Sequence, residues 1–346
     1  MNDMPSASPF PDTEVRLGAL CWAQYTDWQS LLEAGVRADR LGFHSLWAWD
    51  HLYPIVGSSD GPFLEGYMTL AAWAQATTKV KVGLMVGANP FRNPALTAKM
   101  ATTLDHISNG RAYLGIGSAW NEEEARDFGF EFGETPGERL RWLREALPVM
   151  RGMLHGEAPS AAGPHYSQQN VHNDPPPVQA HMPLLIGGGG ENVTLRLVAR
   201  YGDAMNIGFA AGLEGFVRKE QALRRHCQEL GRDHREIERT LNTGPMIIRD
   251  THEEAAAVLE DIYRHNGNAE TWAGRTAAMQ PTGSPDEIVE ALLPFVEHGY
   301  YHVVVGFPSP FDQETMERLI GEVQPKLTAA LEDRAGQTQA VTVGQR

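Results

Sequence analysis

This amino-acid sequence reads as an α/β protein: a (β/α)8 TIM barrel with insertion segments at the C-terminal face of its strands. Three features carry that reading. Short apolar runs without polar alternation recur along the chain, as strands of a parallel sheet buried on both faces do. Eight such runs alternate with amphipathic helical patterns. One junction also repeats, a helix closed by glycine and followed at once by a strand. Ala38-Asp-Arg-Leu-Gly42 leads into 43–49, Val198-Ala-Arg-Tyr-Gly202 into 203–207, and Val296-Glu-His-Gly299 into 300–305. Glycine ends a helix by taking the left-handed conformation. An open, doubly wound sheet is the alternative arrangement of the same elements.

The expected strands are 15–20, 45–49, 80–86, 112–116, 184–186, 204–207, 241–248 and 302–306. Helical patterns lie at 27–41, 66–78, 94–107, 136–154, 191–201, 212–231, 252–264 with 285–298, and 312–330. Residues 14–330 then form one barrel domain. Residues 1–13, rich in Pro, Ser and Asp, are expected to be a flexible N-terminal tail, and 331–346 a flexible C-terminal one. Two segments break the rhythm. Residues 155–182 are rich in Pro, His and Asn and include Pro175-Pro-Pro177; residues 266–284 are rich in Gly, Asn and Thr and contain Trp272 and Met279. Long irregular insertions in a compact domain are often lids, and lids over the barrel mouth are the expectation here.

Composition narrows the function. The 346 residues are 42% hydrophobic and 21% charged, an ordinary globular balance with ample core. A net charge of −15 argues against nucleic acid or an anionic membrane as partner. A polyanionic ligand would need local help from backbone N–H groups or a few Arg and Lys. Two cysteines, Cys21 and Cys227, form no disulfide framework and point to a reducing compartment. No apolar run has the length of a membrane span or the setting of a secretory signal, so a cytoplasmic location is expected. Among thirteen histidines no pair has metal-ligand spacing. His51, His165, His172 and His181 read as loop or active-site residues rather than zinc ligands, and no metal is expected.

Four stretches carry chemistry. Between Gly110 and Glu124 a buried-type strand runs into Gly117-Ser118, then Trp120, then Asn121 as a helix N-cap followed by three acids. On a barrel this places a small-residue turn and an aromatic at the rim where sites are built; an ordinary capped turn is the plainer account. The second strand ends Trp47-Ala-Trp-Asp50-His51, a carboxylate beside the side chain best suited to moving protons near neutral pH. The same pair could instead satisfy loop backbone groups. The third strand ends Gly87-Ala88-Asn-Pro90-Phe-Arg-Asn-Pro94, small enough for a flat ligand to approach, or simply a loop with proline opening a helix. Gly187 to Gly190 expose four successive N–H groups before a helix, an anion nest suited to phosphate rather than a mere tight turn. Glu191 beside it is unfavourable unless it points away. The run is neither a Walker loop nor a dinucleotide fingerprint. Aromatics gather at the expected mouth: Trp22, Tyr25, Trp47, Trp49, Tyr53, Phe91 and Trp120.

Together these pieces resemble the luciferase-like monooxygenase superfamily, in particular its branch that uses the deazaflavin coenzyme F420. The resemblance rests on Trp49-Asp-His51, Asn89-Pro-Phe-Arg-Asn-Pro-Ala-Leu-Thr-Ala-Lys99, Leu104-Asp-His-Ile-Ser-Asn-Gly-Arg111, Gly115-Ile-Gly-Ser-Ala-Trp-Asn-Glu122, Leu185-Ile-Gly-Gly-Gly-Gly-Glu-Asn192, Leu197-Val-Ala-Arg-Tyr-Gly-Asp-Ala204 and Thr282-Gly-Ser-Pro-Asp-Glu-Ile288. It covers about residues 14 to 328, and the order and spacing of the motifs are specific though no single one decides.

The resemblance implies a (β/α)8 barrel, a homodimer, and an isoalloxazine-like ring in the barrel mouth. It implies that Asp50 contacts the ring and that His51 is the proton donor or acceptor. It places a non-proline cis peptide at about Met85-Val86, behind the ring, with Ala88 as a further contact. Gly117 and Asn121 match cofactor contacts, and Gly187, Gly188, Gly189 and Gly190 match the phosphate nest. Two positions depart from the sugar-phosphate dehydrogenase branch. Ser118 and Gln24 stand where that branch carries acids, which argues against a glucose-6-phosphate substrate. With Trp22 and Trp120 they are expected to line a pocket for a less polar small molecule. The leading expectation is therefore an F420-dependent oxidoreductase. The alternatives are an FMN-dependent monooxygenase using reduced flavin and oxygen, and a non-catalytic carrier of the cofactor.

Overall fold

The continuous apolar runs become the staves of a closed parallel barrel. The computed structural model describes residues 14–267 and 280–343, with side chains followed to residue 333. Its elements are β1 (Arg16–Cys21), α1 (Trp28–Leu41), β2 (Ser45–Ala48), α2 (Gly66–Ala76), β3 (Lys81–Leu84), β4 (Gly87–Ala88), α3 (Pro94–Ser108) and β5 (Leu114–Gly117). Next come α4 (Glu122–Asp127), α5 (Pro136–Leu154), β6 (Ala161–Ala162), β7 (Ser167–Gln168), β8 (Leu184–Gly187), α6 (Thr194–Tyr201), β9 (Ala204–Gly208) and α7 (Gly212–Leu230). The last are β10 (Glu238–Pro245), β11 (Ile247–Ile248), α8 (His252–His265), β12 (Thr282–Gly283), α9 (Pro285–Glu297), β13 (His302–Phe307), α10 (Gln313–Arg318) and α11 (Gln324–Val343).

The main sheet has the order β3-β2-β1-β13-β10-β9-β8-β5-β4. β3 and β4 are two halves of the third strand, separated by Met85-Val86, whose peptide bond is cis. A parallel bridge from Val82 to Ala112, just ahead of β5, joins the two ends of the sheet. That closure rules out the open doubly wound arrangement.

Alternation along each strand explains both layers of the core. Leu20, Trp47, Tyr113, Leu185 and Val304 point into the barrel and pack together. Their neighbours Ala19, Leu46, Leu114, Ile186 and Val303 face outward against Leu31, Leu70, Leu147 and Leu195 of the helices. Each fully buried Leu or Val contributes about 1.5–3 kcal/mol. Helix ends are fixed locally. The Asp27 side chain accepts from Ser30 N, and Gly42, at φ +94°, closes α1. Ser284 and Glu287 form a capping box on α9. The Asp39 carboxylate accepts from the N–H groups of Thr78, Lys79 and Val80 and so sets where β3 begins.

Several expectations need correction. The strand expected at 241–248 starts at Glu238, because Glu238 and Arg239 are buried with charged partners rather than exposed. The first insertion is not a lid. Asn173 bonds to Thr102 and to Met153 O, Lys99 Nζ donates to Asp174 O, and Gln179 bonds to Asp105 and to Ala112 O. These bonds strap it along α3, with the antiparallel β6–β7 pair at its near end. The second insertion is described only at its ends. Trp272, Met279 and the expected N-terminal tail lie outside the described residues. At the other terminus the backbone is helical through Val343, into the segment expected to be a flexible tail, where strong helix formers outnumber the single glycine, Gly336. No described helix is long and apolar enough to cross a membrane.

Candidate active site

At the C-terminal ends of the strands two lobes adjoin. The first, about 310 Å³, is lined by Trp49, Asp50 and His51 beyond β2, by Met85, Val86, Gly87 and Ala88 of the third strand, by Gly117 to Trp120 at the end of β5, by Glu124 of α4, and by Gly187 of β8 with Gly188 after it. The second, about 350 Å³, is lined by Leu20, Trp22, Val56, Phe209, Pro245, Asn242 and Gln280 among others. Trp49, Ile55 and Trp120 line both and form the seam.

His51 sits in that wall with its Nδ1 2.6 Å from Glu124 Oε1. The other oxygen of Glu124 accepts from Leu52 N at 2.8 Å. Trp49 and Trp120 meet the imidazole edge-on, with ring centres 6.3 and 5.5 Å away. Nε2 has no partner among the described residues.

Asp50 borders the first lobe and its carboxylate is also held by protein partners. It is buried, and Oδ2 accepts from Ala88 N and from Arg92 Nη1, both at 2.7 Å, while Oδ1 accepts from Arg92 Nη2 at 2.9 Å. Arg92 also reaches Glu65 at 3.2 Å. The carboxylate is thus neutralised by a bidentate partner and anchors the backbone of the wall, although Asp50 still borders the lobe.

That wall is poor in side chains for a packing reason. A Cβ on Gly117 or Gly187 would come within 2.8 or 2.7 Å of Val86 side-chain atoms, and one on Gly115 within 1.9 Å of Leu84 O. The glycines let Val86 lie between strands, and what remains is a flat surface opposite Trp49 and Trp120. A planar tricyclic ring fits this slot.

Beyond Gly188, at φ +113° with its N–H on Asn206 O, the glycine run reaches α6. That helix starts without a side-chain cap, and Gly189 and Gly190 N–H find no backbone acceptor among the described residues. Glu191 turns toward Arg218 and Lys219, at 3.5 and 3.9 Å. Lys219 Nζ lies 2.8 Å from Gly189 O and adds a positive charge to the nest. A phosphate fits these donors.

Other expected site residues are elsewhere. Gln24 is fully buried and clamps a loop: its Nε2 donates to Val56 O, and its Oε1 accepts from Ile55 and Val56 N. It holds Ile55 and Val56 in the seam and the second lobe but lines neither lobe. Asn121 caps α4 by accepting from Glu123 N, so its amide serves the helix rather than either lobe. Trp22 does line the second lobe and stacks on Trp49 at 4.6 Å. Trp47 is sealed inside the barrel, whereas Tyr53 and Phe91 join a separate aromatic row with Phe128 and Phe130. His165 stacks on Trp142, His181 pairs with Asp203 at 3.0 Å and His172 is exposed, all away from the lobes. Three residues escaped the sequence reading: Arg92, Glu124 and Lys219. Each has a tertiary partner far away in sequence, and only Glu124, third in a run of acids, offered a local hint.

A model of the luciferase-like monooxygenase family matches residues 10–302. The chain belongs to this family. An F420-dependent glucose-6-phosphate dehydrogenase of Amycolatopsis mediterranei (strain U-32) is 26% identical over 336 residues, covering 91% of this chain and 99% of the relative. One from Gordonia bronchialis is 28% identical over 338 residues, covering 91% and 98%. Among solved structures, an F420-dependent secondary alcohol dehydrogenase in complex with an F420-acetone adduct superposes with a TM-score of 0.77 at 21% identity, covering 91% of this chain and 99% of that one. The F420-dependent tetrahydromethanopterin reductase of Methanopyrus kandleri gives 0.74 at 20%, with coverage of 91% and 99%. At these identities the structural likeness speaks for the shared barrel.

Proposed function

We propose that this member of the family is an oxidoreductase that binds coenzyme F420 in the first lobe. Its substrate is a neutral, largely apolar small molecule held in the second lobe, and His51 is the proton donor or acceptor. When bound, the deazaflavin supplies two-electron hydride chemistry. The protein's share is to orient the ring on the flat wall at 86–88 and 117–119, to hold its phosphate at the glycine nest beside Lys219, and to move one proton.

The observation that carries the reading is His51 Nε2, without a partner among the described residues, in the wall of the first lobe beside Trp49 and Trp120 of the seam. A group that exchanges a proton with substrate needs a nitrogen free to reach it, and a ring nitrogen already committed could not serve. The apolar substrate is supported by the second lobe, whose described lining has no charged side chain. Ser118, in place of an acid, removes a further anchor for a sugar hydroxyl. The two relatives named above are glucose-6-phosphate dehydrogenases, so this chain's pocket is read as having diverged from theirs.

Titration of the purified protein with F420 and separately with FMN, followed by fluorescence, tests the reading. Tight binding of F420 is expected; binding of FMN with none of F420 overturns it. On a panel of neutral ketones and alcohols, His51→Ala is expected to lower turnover about 10²–10⁴-fold. Undiminished turnover removes His51 from the mechanism.

A further inference from the structure

We infer that Glu124 is a positioning residue for His51: it holds the imidazole as the Nδ1–H tautomer and keeps Nε2 free to face the substrate. The inference rests on the oxidoreductase reading only for the use made of the pair; the pairing itself is geometry. A carboxylate can only accept, so the 2.6 Å contact requires the proton on Nδ1. The neutral ring then carries its lone pair on Nε2 and can take a proton there, and the charged ring can give one up there. Because Oε2 also holds Leu52 N at 2.8 Å, one side chain fixes both the ring and the backbone that follows it.

Burial makes a purely surface role untenable. Glu122 and Glu123 of α4 are exposed, as acids serving the positive end of a helix are, whereas the Glu124 side chain is only 2% exposed. A carboxylate taken out of water needs a partner, and among the described ion pairs Glu124 has only His51. The acid is therefore matched to the charge that His51 gains whenever Nε2 takes a proton. Its effect on the reaction passes through His51, even though Glu124 also borders the first lobe.

Nitrogen-15 spectra of histidine-labelled protein read the tautomer directly, with His51 assigned from the signal missing in His51→Asn. In the wild type the neutral His51 ring is expected to show a protonated Nδ1 and a bare Nε2. The opposite tautomer overturns the inference without need of any Glu124 variant. In Glu124→Gln the amide can offer a donor to Nδ1, so a mixture of tautomers is expected. F420 affinity should stay within about twofold, and kcat should fall about 10–100-fold, the usual scale for loss of a group that orients a functional histidine. An unchanged tautomer in the Gln variant overturns the positioning role whatever its activity. Failure of the wild type to bind F420 overturns the oxidoreductase reading instead, and leaves the spectra to stand on their own.

Discussion

Among the described residues two histidine–glutamate pairs are hydrogen-bonded, one at each end of the barrel, and they differ in what is left over. At the base, His302 Nδ1 lies 2.8 Å from Glu238 Oε1, and Nε2 lies 2.7 Å from Ser45 Oγ, which in turn accepts from Trp47 Nε1. Tyr113 donates to the other oxygen of Glu238 at 3.0 Å, and Arg16 Nη1 lies 2.8 Å from the first. Both ring nitrogens are used and the acid has its own cation. Burial pushes the His302 pKa down, so the ring is neutral and donates Nδ1–H. Burial alone would raise that of Glu238, but His302 and Arg16 hold it down at about 2. At the mouth, among the described residues, Glu124 has no arginine and His51 keeps one nitrogen unpartnered at a cavity wall. The same two side-chain types act as glue where every valence is taken and, in the function proposed above, as a proton relay where one is spare. Glu238, His302 and His44 also have ligand atoms within 4.8 Å of one another, a metal-type grouping, but Arg16 already supplies the positive charge there.

The sharpest way to break this contrast is Glu238→Gln. It removes the carboxylate paired with the buried Arg16, and breaking a buried pair from one side costs about 3–5 kcal/mol. Urea unfolding should show that loss, while F420 affinity of the folded protein stays as in the wild type. A loss below about 1 kcal/mol, the scale of an exposed pair, would mean that the base is not the sealed network described.

Acid should act on the base next most strongly. His44 is pushed down to about 3 by burial, then by His302 and Arg16, and His302 is lowered by burial as well. A base whose pKa is depressed on folding leaves the unfolded chain holding more protons once the pH drops below the ordinary histidine value of about 6.5. Stability therefore begins to fall there. Glu238, also depressed, adds a second loss from about 4.5 toward 2. Both terms have the same sign, so melting temperature should decline steadily from pH 7 to pH 4. In a His44→Phe variant the first part of that decline should be shallower; an unchanged slope would remove His44 as its source.

Most of the frame was legible because a parallel barrel writes itself as repeated apolar runs, and the eight expected strands lie where the structure has them to within a few residues. The third strand departed most from the apolar pattern, which does not show that pairing stops at Leu84 and resumes at Gly87; the cis peptide at Met85-Val86 between them was implied by the family resemblance alone. The site was legible by place rather than by role. Asp50, His51, Ser118, Trp120 and the first glycines of the nest do meet at the mouth. Yet Asp50 is bound to Arg92, Gln24 to the loop at 55–56, and Asn121 to its own helix. Sequence pattern reports which strand end a residue occupies, not which distant partner takes its lone pairs. The motif 104–111 teaches the same lesson: Arg111 donates to the carbonyls of Ala74, Thr77, Val80 and Ser108, and Asp105 accepts from Ala112 N, so this stretch of the family likeness is scaffold.

The smallest effect sharpens the contrast most cleanly. Trp47 at the sealed end has no exposed surface, while Trp120 at the open end is 63% exposed, carried outward by Ala119 at φ +63°. A side chain so exposed adds little to folding, and Trp120→Ala should change unfolding free energy by no more than about 0.5 kcal/mol. It lines both lobes, however, and an apolar ligand settling at the seam would cover its ring. Losing an aromatic contact of about 0.5–1.5 kcal/mol should raise KM several-fold with kcat little changed, because His51 and Glu124 remain in place. If kcat fell instead while KM held, Trp120 would belong with the proton relay rather than with the substrate wall. The division of the mouth into one positioned proton carrier and one apolar surface would then have to be redrawn.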